Sequence, residues 1–147
     1  MTRALNYLAD KLRSLSFGRR DTLVCSDCFA DRGLALEARK LGQISKRKCR
    51  HCNSEMGAKL DRATLDDVAE NFFVRGSFVR TEFGGATVLR FGAWRQDSHR
   101  EVRFPTWLDT DARLIENSLG IGFRYYGPPT WRLGEVEPLE SLMHILA

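Results

Sequence analysis

Residues 25–28 read Cys25-Ser26-Asp27-Cys28, and residues 49–52 read Cys49-Arg50-His51-Cys52. These two runs hold all four cysteines of the 147-residue chain, and twenty residues separate Cys28 from Cys49. The pattern, C-x2-C-x20-C-x2-C, has the spacing of a four-thiolate zinc site. One C-x2-C turn aims two sulfurs at a single point, and two such turns complete a tetrahedron at about 2.3 Å per Zn–S bond. The competing readings are two disulfides or free thiols. Disulfides need an oxidising compartment, and nothing in the sequence suggests secretion. A redox pair sits between a strand and a helix in a thioredoxin-like unit and needs no second copy. We therefore expect Cys25, Cys28, Cys49 and Cys52 to bind Zn2+. Four protein ligands close the shell, so the expected zinc is structural. A zinc deaminase is disfavoured as well, because neither cysteine pair follows a proline.

The second pair lies in a basic run, Lys46-Arg47-Lys48-Cys49-Arg50-His51. Thiolates bound to zinc leave excess negative charge, which Lys46, Arg47, Lys48 and Arg50 can offset. The same four side chains suit contact with nucleic-acid phosphates or with a protein partner. The sequence leaves all three roles open. His51 is a substitute ligand only if a cysteine is displaced. Net charge is +4 and is unevenly spread: residues 1–62 carry fourteen Lys/Arg against seven Asp/Glu, and residues 63–147 carry nine against twelve. A basic front of this kind attracts phosphates, an acidic protein surface or the chain's own acidic half.

Periodicity divides the chain into three parts: an N-terminal amphipathic helix and linker over 1–20, a four-cysteine zinc-binding module over 21–62, and an α+β portion over 63–147 packed on it. Leu5, Leu8, Leu12 and Leu15 make one apolar stripe on a helix over 2–17, which either packs on the rest or meets a partner. Residues 31–41 read as a helix capped by Asp31 and stopped by Gly42. Such an insert suggests two zinc knuckles rather than a plain β-ribbon. A helix over 64–74 starts at Thr64 and buries Leu65, Val68, Ala69, Phe72 and Phe73. Gly84-Gly85 marks a turn or a close backbone approach, and residues 86–91 have strand character. Asp109 or Thr110 caps a helix closed by Gly120, residues 121–126 read as a strand, and Pro138 opens a last helix from Leu139 to Leu146. The expected fold class is α+β: a small zinc-knuckle module with an N-terminal helix, beside a compact mixed portion.

Length and composition exclude several classes. At 43% hydrophobic and 29% charged, the chain is not wholly disordered. It is too short for a Rossmann dehydrogenase or a TIM barrel. No stretch approaches about 18 apolar residues, and Asn6, Asp10 and Lys11 interrupt any signal-peptide core. A cytoplasmic protein without a membrane partner is expected. No nucleophile elbow, phosphate-binding loop or dinucleotide fingerprint appears. His99 lies in the polar run Arg95-Gln96-Asp97-Ser98-His99-Arg100, which reads as a solvated loop sooner than as a catalytic one. Arg90, Phe91, Trp94 and Arg95 can stack on bases, though a half-buried strand explains them equally. No complete catalytic motif is present, so we expect a binding protein rather than an enzyme.

One family resemblance refines this. The run Cys25-x-x-Cys28-Phe29-x-Asp31-x-Gly33-Leu34, followed by Cys49-x-x-Cys52-Asn53, resembles the N-terminal zinc-binding region that precedes the RES domain in some bacterial proteins. So do Gly84-Gly85-Ala86 and Tyr125-Tyr126-Gly127-Pro128-Pro129-Thr130-Trp131-Arg132-Leu133-Gly134, the more telling part. RES domains resemble ADP-ribosyltransferases and act as NAD-consuming toxins. The resemblance implies a regulatory module of a bacterial or phage toxin or defence system, with a protein partner or a cis-linked effector domain. It carries over no catalytic residue, since the RES domain begins about where this sequence ends. Related N-terminal regions are sometimes grouped with HEPN ribonucleases, which use Arg-x4–6-His. Arg95-x3-His99 and Arg47-x3-His51 are each one residue short. The alternative function is a nucleic-acid-binding zinc protein that uses the basic loop 46–50.

Overall fold

The computed structural model of the chain describes residues 22–91, 99–127 and 132–139. The helix expected over 2–17 lies outside them, as does the last helix beyond Leu139. The described residues form a mixed α+β fold of three α-helices and two antiparallel sheets. The front sheet has three short strands in the order β1-β3-β2: β1 Val24–Cys25, β2 Gln43–Ile44 and β3 Ala58–Leu60. Helix α1, Arg32–Leu41, connects β1 to β2, and α2, Arg62–Ala69, leaves β3. The rear sheet has five strands in the order β6-β7-β5-β4-β8: β4 Ser77–Thr81, β5 Gly84–Phe91, β6 His99–Glu101, β7 Gly122–Tyr126 and β8 Leu133–Pro138. Helix α3, Thr106–Leu119, joins β6 to β7.

Helix α1 follows its sequence closely. Asp31 has extended backbone, and its carboxylate accepts from the Leu34 N–H at 2.9 Å, satisfying one of the orphan donors of the first turn. Gly33, Leu34, Ala35 and Ala38 form the buried stripe. Gly42 ends the helix, but not through a left-handed turn, since its φ is −74°. Its role is space. A Cβ there would lie 2.8 Å from the Ala38 carbonyl oxygen and 2.9 Å from the Ala58 Cβ. The bare backbone lets the chain turn straight from α1 into β2 against β3.

Helix α2 starts earlier than expected. Asp61, not Thr64, is the cap: its Oδ1 accepts from both the backbone N–H and the hydroxyl of Thr64, each at 2.8 Å. A carboxylate accepts more strongly than a hydroxyl and suits the positive end of the helix dipole. The helix then widens into a π-type turn, Glu70–Val74, where the Arg75 N–H reaches the Glu70 carbonyl at 2.9 Å. Leu65, Val68, Ala69, Phe72 and Phe73 are all buried, as the periodicity requires.

Helix α3 also begins before its expected caps. Pro105 stands ahead of it, and its carbonyl accepts from Leu108 and Asp109 at 2.9 and 3.0 Å. The fixed φ of proline suits a helix start. Gly120 closes α3 in the left-handed region at φ 68°. Pro138 does not open a helix; it closes β8, which pairs with β4 through Val79 opposite Val136. At the end of an edge strand, proline's missing N–H costs no ladder bond.

One cluster of buried side chains runs from Val24, Leu34 and Leu60 in the front sheet and α1 to Phe123, Tyr125 and Val136 in the rear sheet. Phe73 stands at its centre, with ring centroids 5.6 Å from Phe104 and 4.8 Å from Phe123. On the outer side, the Arg90 guanidinium of β5 pairs with Asp66 and, at 2.9 Å, with Glu70. Arg90 therefore ties β5 to α2 and the turn that follows it. Arg62 donates to the Leu119 carbonyl at 2.7 Å, satisfying the C-terminal end of α3.

Candidate metal centre

Two turns bring the cysteines together. Cys25 ends β1, and Ser26–Cys28 form a 3-10 turn directly after it. The buried Ser26 hydroxyl accepts from the Ala58 N–H at 3.0 Å, which pins this turn to β3. The second turn closes on itself: the Cys49 N–H donates to the Ser54 carbonyl at 2.9 Å, and the Asn53 N–H donates to the Cys49 carbonyl at 2.8 Å. Asn53 takes a left-handed backbone, φ 62°, a conformation asparagine tolerates better than most residues. The Arg50 N–H donates to the Thr22 carbonyl at 3.2 Å, so the second turn is moored to the chain just before β1.

The four Sγ atoms lie within 4.8 Å of one another. Cys25 to Cys28 is 3.6 Å, Cys25 to Cys52 is 3.5 Å and Cys28 to Cys49 is 3.6 Å. A disulfide would need about 2.05 Å, and none of the four is in one. Sulfurs at the corners of a tetrahedron with arms of about 2.3 Å stand roughly 3.8 Å apart. The spacing thus fits four sulfurs around one metal ion. Among the described residues, no other group of three or more His, Cys, Asp or Glu converges in this way.

Burial grades the site. Cys25 and Cys49 are buried, Cys28 is half-buried and Cys52 is exposed. Removal from water pushes the Cys25 and Cys28 thiols up, because the thiolate is the form that burial disfavours. The hydrogen bond from the Ser54 backbone draws the Cys52 thiol down. A cation entering here must displace protons from the inner sulfurs, so its binding competes with acid.

Lys46, Arg47, Lys48 and Arg50 lie on the loop that carries the second pair, and all four are exposed there. His51 is exposed too and stands outside the cysteine group. The backbone of His99 begins β6 rather than a free loop; Trp94, Arg95 and His144 lie outside the described residues. The sequence reading missed Asp111. This α3 residue is 1% exposed, and its carboxylate accepts from the N–H groups of Ala30 at 2.9 Å and Asp31 at 2.7 Å. It holds the chain just beyond Cys28. It also missed Ser26, which a small hydroxyl between two cysteines hints at only weakly.

No described helix is long and apolar enough to cross a membrane. Comparison with family models, curated proteins and solved structures finds no match to this chain.

Proposed function

We propose that the chain is a zinc-stabilised binding module in which Cys25, Cys28, Cys49 and Cys52 hold one structural Zn2+. The observation that carries this reading is the convergence of four unpaired thiols within 4.8 Å from two hydrogen-bonded turns. Four sulfur donors at tetrahedral spacing suit zinc and leave no position for a reacting water. The ion would therefore supply folding energy, and function would lie in the surface it holds in place. The resemblance to the region preceding RES domains supplies the partner class: a NAD-consuming effector that the module positions or restrains, in cis or in trans.

Two measurements test this. Cys49→Ser should lose bound zinc and lower Tm sharply, since structural zinc contributes on the order of 10 kcal/mol. Unchanged zinc content and Tm would overturn the metal assignment. Sizing a mixture of the chain with a purified RES-domain protein should give one complex; two separate species would overturn the partner.

The exposed cations of the loop favour a second reading, in which Lys46, Arg47, Lys48 and Arg50 contact nucleic-acid phosphates. Anisotropy of labelled DNA and RNA at ~50 and ~200 mM salt separates the two. A steep salt slope, lost when the four charges are removed, selects nucleic acid. No binding at the lower salt leaves the protein-binding module.

A further inference from the structure

Burial separates the four sulfurs by what solvent can reach. Cys25 and Cys49 are buried, Cys28 is half-buried, and of the four only Cys52 is exposed. A solute arriving from water therefore meets Cys52 first. The surroundings favour reaction there. Cys52 directly follows Arg50 and His51, in the loop of exposed Lys46, Arg47, Lys48 and Arg50. Electropositive, partly exposed positions of this kind hold reactive cysteines, and the thiolate is the nucleophile. A sulfur that serves as a metal ligand is already a thiolate.

Distance selects a second sulfur. Cys25 Sγ stands 3.5 Å from Cys52 Sγ, across twenty-seven positions of sequence. A disulfide has an S–S bond of about 2.05 Å, so the pair has roughly 1.5 Å to close. Rotation of the exposed Cys52 side chain can supply that movement. The backbone holds the two segments side by side without help from any ion. The Arg50 N–H donates to the Thr22 carbonyl at 3.2 Å, and the Leu23 N–H donates to the Leu60 carbonyl at 3.0 Å. Cys25 itself lies opposite Lys59 in the β1–β3 ladder. Cys25 and Cys52 thus remain neighbours while their bonding changes. The other close pair across the two turns, Cys28 and Cys49 at 3.6 Å, is more sheltered.

We propose that Cys52 is a peroxide-reactive thiolate whose oxidation closes a Cys25–Cys52 disulfide and frees the zinc. The Cys52 thiolate attacks one oxygen of hydrogen peroxide and breaks the O–O bond; the departing hydroxide takes a proton and leaves as water. Cys52 is then a sulfenic acid. The Cys25 thiolate attacks its sulfur. The S–S bond forms as the S–O bond breaks, and a second hydroxide takes a proton and leaves as water. The two thiolates give up two electrons, which the peroxide gains. Two of four sulfur donors are then spent, and the two that remain cannot form the closed four-ligand shell of a structural site. A dithiol reductant reverses the step by thiol–disulfide exchange. The inference rests on the zinc assignment and adds a condition under which the module gives up its ion.

The test treats the zinc-loaded full chain with hydrogen peroxide and follows zinc release with a chromophoric indicator. Tandem mass spectrometry maps the disulfides at the same time points. Zinc should appear in step with a Cys25–Cys52 disulfide, and a dithiol with added zinc should restore the starting state. Cys52→His keeps a fourth zinc ligand but removes the exposed thiolate; it should load zinc and release it at least about tenfold more slowly. If Cys52→His does not load zinc, the wild-type disulfide map decides alone. Zinc retained with all four cysteines reduced overturns the proposal. So does a first disulfide between any other pair, Cys52 over-oxidised with no disulfide, or Cys52→His releasing zinc as fast as the wild type. A chain purified without zinc, and unable to take it up, overturns the metal assignment and this inference with it. A zinc-loaded chain that ignores peroxide overturns this inference alone.

Discussion

The carboxylate of Asp111 accepts a 2.7 Å hydrogen bond from the backbone N–H of Asp31, eighty residues earlier in the chain. Its other oxygen accepts from Ala30 at 2.9 Å. Asp31 in turn accepts from Leu34 and starts α1. Two carboxylates in series therefore connect α3 to the segment that leaves the first cysteine turn. Burial pushes the Asp111 carboxyl up, and the two amide bonds pull the other way.

Asp111→Ala leaves the N–H groups of Ala30 and Asp31 without their buried acceptor. An unsatisfied donor of this kind costs about 1–3 kcal/mol. We expect urea denaturation of the zinc-loaded protein to show a loss in that range, with Asp111→Asn recovering part of it. A midpoint unchanged by Asp111→Ala would show that the latch contributes nothing.

Gly42 and Gly120 both end helices, for different reasons. Gly42→Ala drives a methyl against the Ala38 carbonyl and the Ala58 Cβ, both closer than 3.0 Å. Overpacking of this sort costs typically about 1–3 kcal/mol. Gly120→Ala meets nothing within 4 Å and bears only the left-handed φ of 68°, a penalty on the order of 1 kcal/mol. Thermal melts should rank Gly42→Ala as the more destabilised; the reverse order would reject the close approach of α1 to β3.

Chelation should loosen the molecule unevenly. The front sheet rests on the cysteine turns, whereas β5 and β7 are built around Val88, Phe123 and Tyr125 in the rear of the core. We expect a zinc chelator to raise amide exchange at Val24, Cys25 and Ala58 before it does so at Val88 and Tyr125. Uniform loss of protection would mean that the ion holds the whole fold.

Glu116 gives the pH dependence a sign. Its side chain is 11% exposed and accepts from the Phe123 N–H at 3.2 Å. Burial pushes its carboxyl above the ordinary range, against the pull of the Phe123 amide, Arg113 and Arg124. The folded state thus holds the proton more tightly than the unfolded chain does. The stabilisation is fully present below the unfolded pKa and is lost as pH rises through the raised folded value. Glu116→Gln removes this titration. Stability curves of the two proteins, compared at each pH so that the thiols cancel, should show the wild type's relative advantage shrinking as pH rises across that window. An advantage that grows would reject the burial account.

Local patterns were readable wherever one residue acts on near neighbours. The two cysteine pairs announced their own meeting, because a C-x2-C turn needs only four residues to aim two sulfurs. Asp31 and Gly120 announced helix ends, since caps satisfy donors and acceptors within one turn. The apolar spacing of Leu65, Val68, Ala69, Phe72 and Phe73 announced a buried helical face. The choice of Asp61 over Thr64, and of Pro105 over Asp109, turned on neighbouring acceptors and on proline geometry that compete over a few residues.

By itself, then, the sequence determined the donor set, the basic loop around it and the mixed α+β class, all of them matters of composition and short-range spacing. Tertiary structure decided the rest. It made β8 out of a stretch that ends in proline, because β4 offered Val79 opposite Val136. It turned Arg90 from a base-stacking candidate into the partner of Asp66 and Glu70. It brought Asp111 to the cysteine segment and left Ile44 exposed on the front sheet. These outcomes depend on which distant surfaces meet, and no local periodicity encodes that.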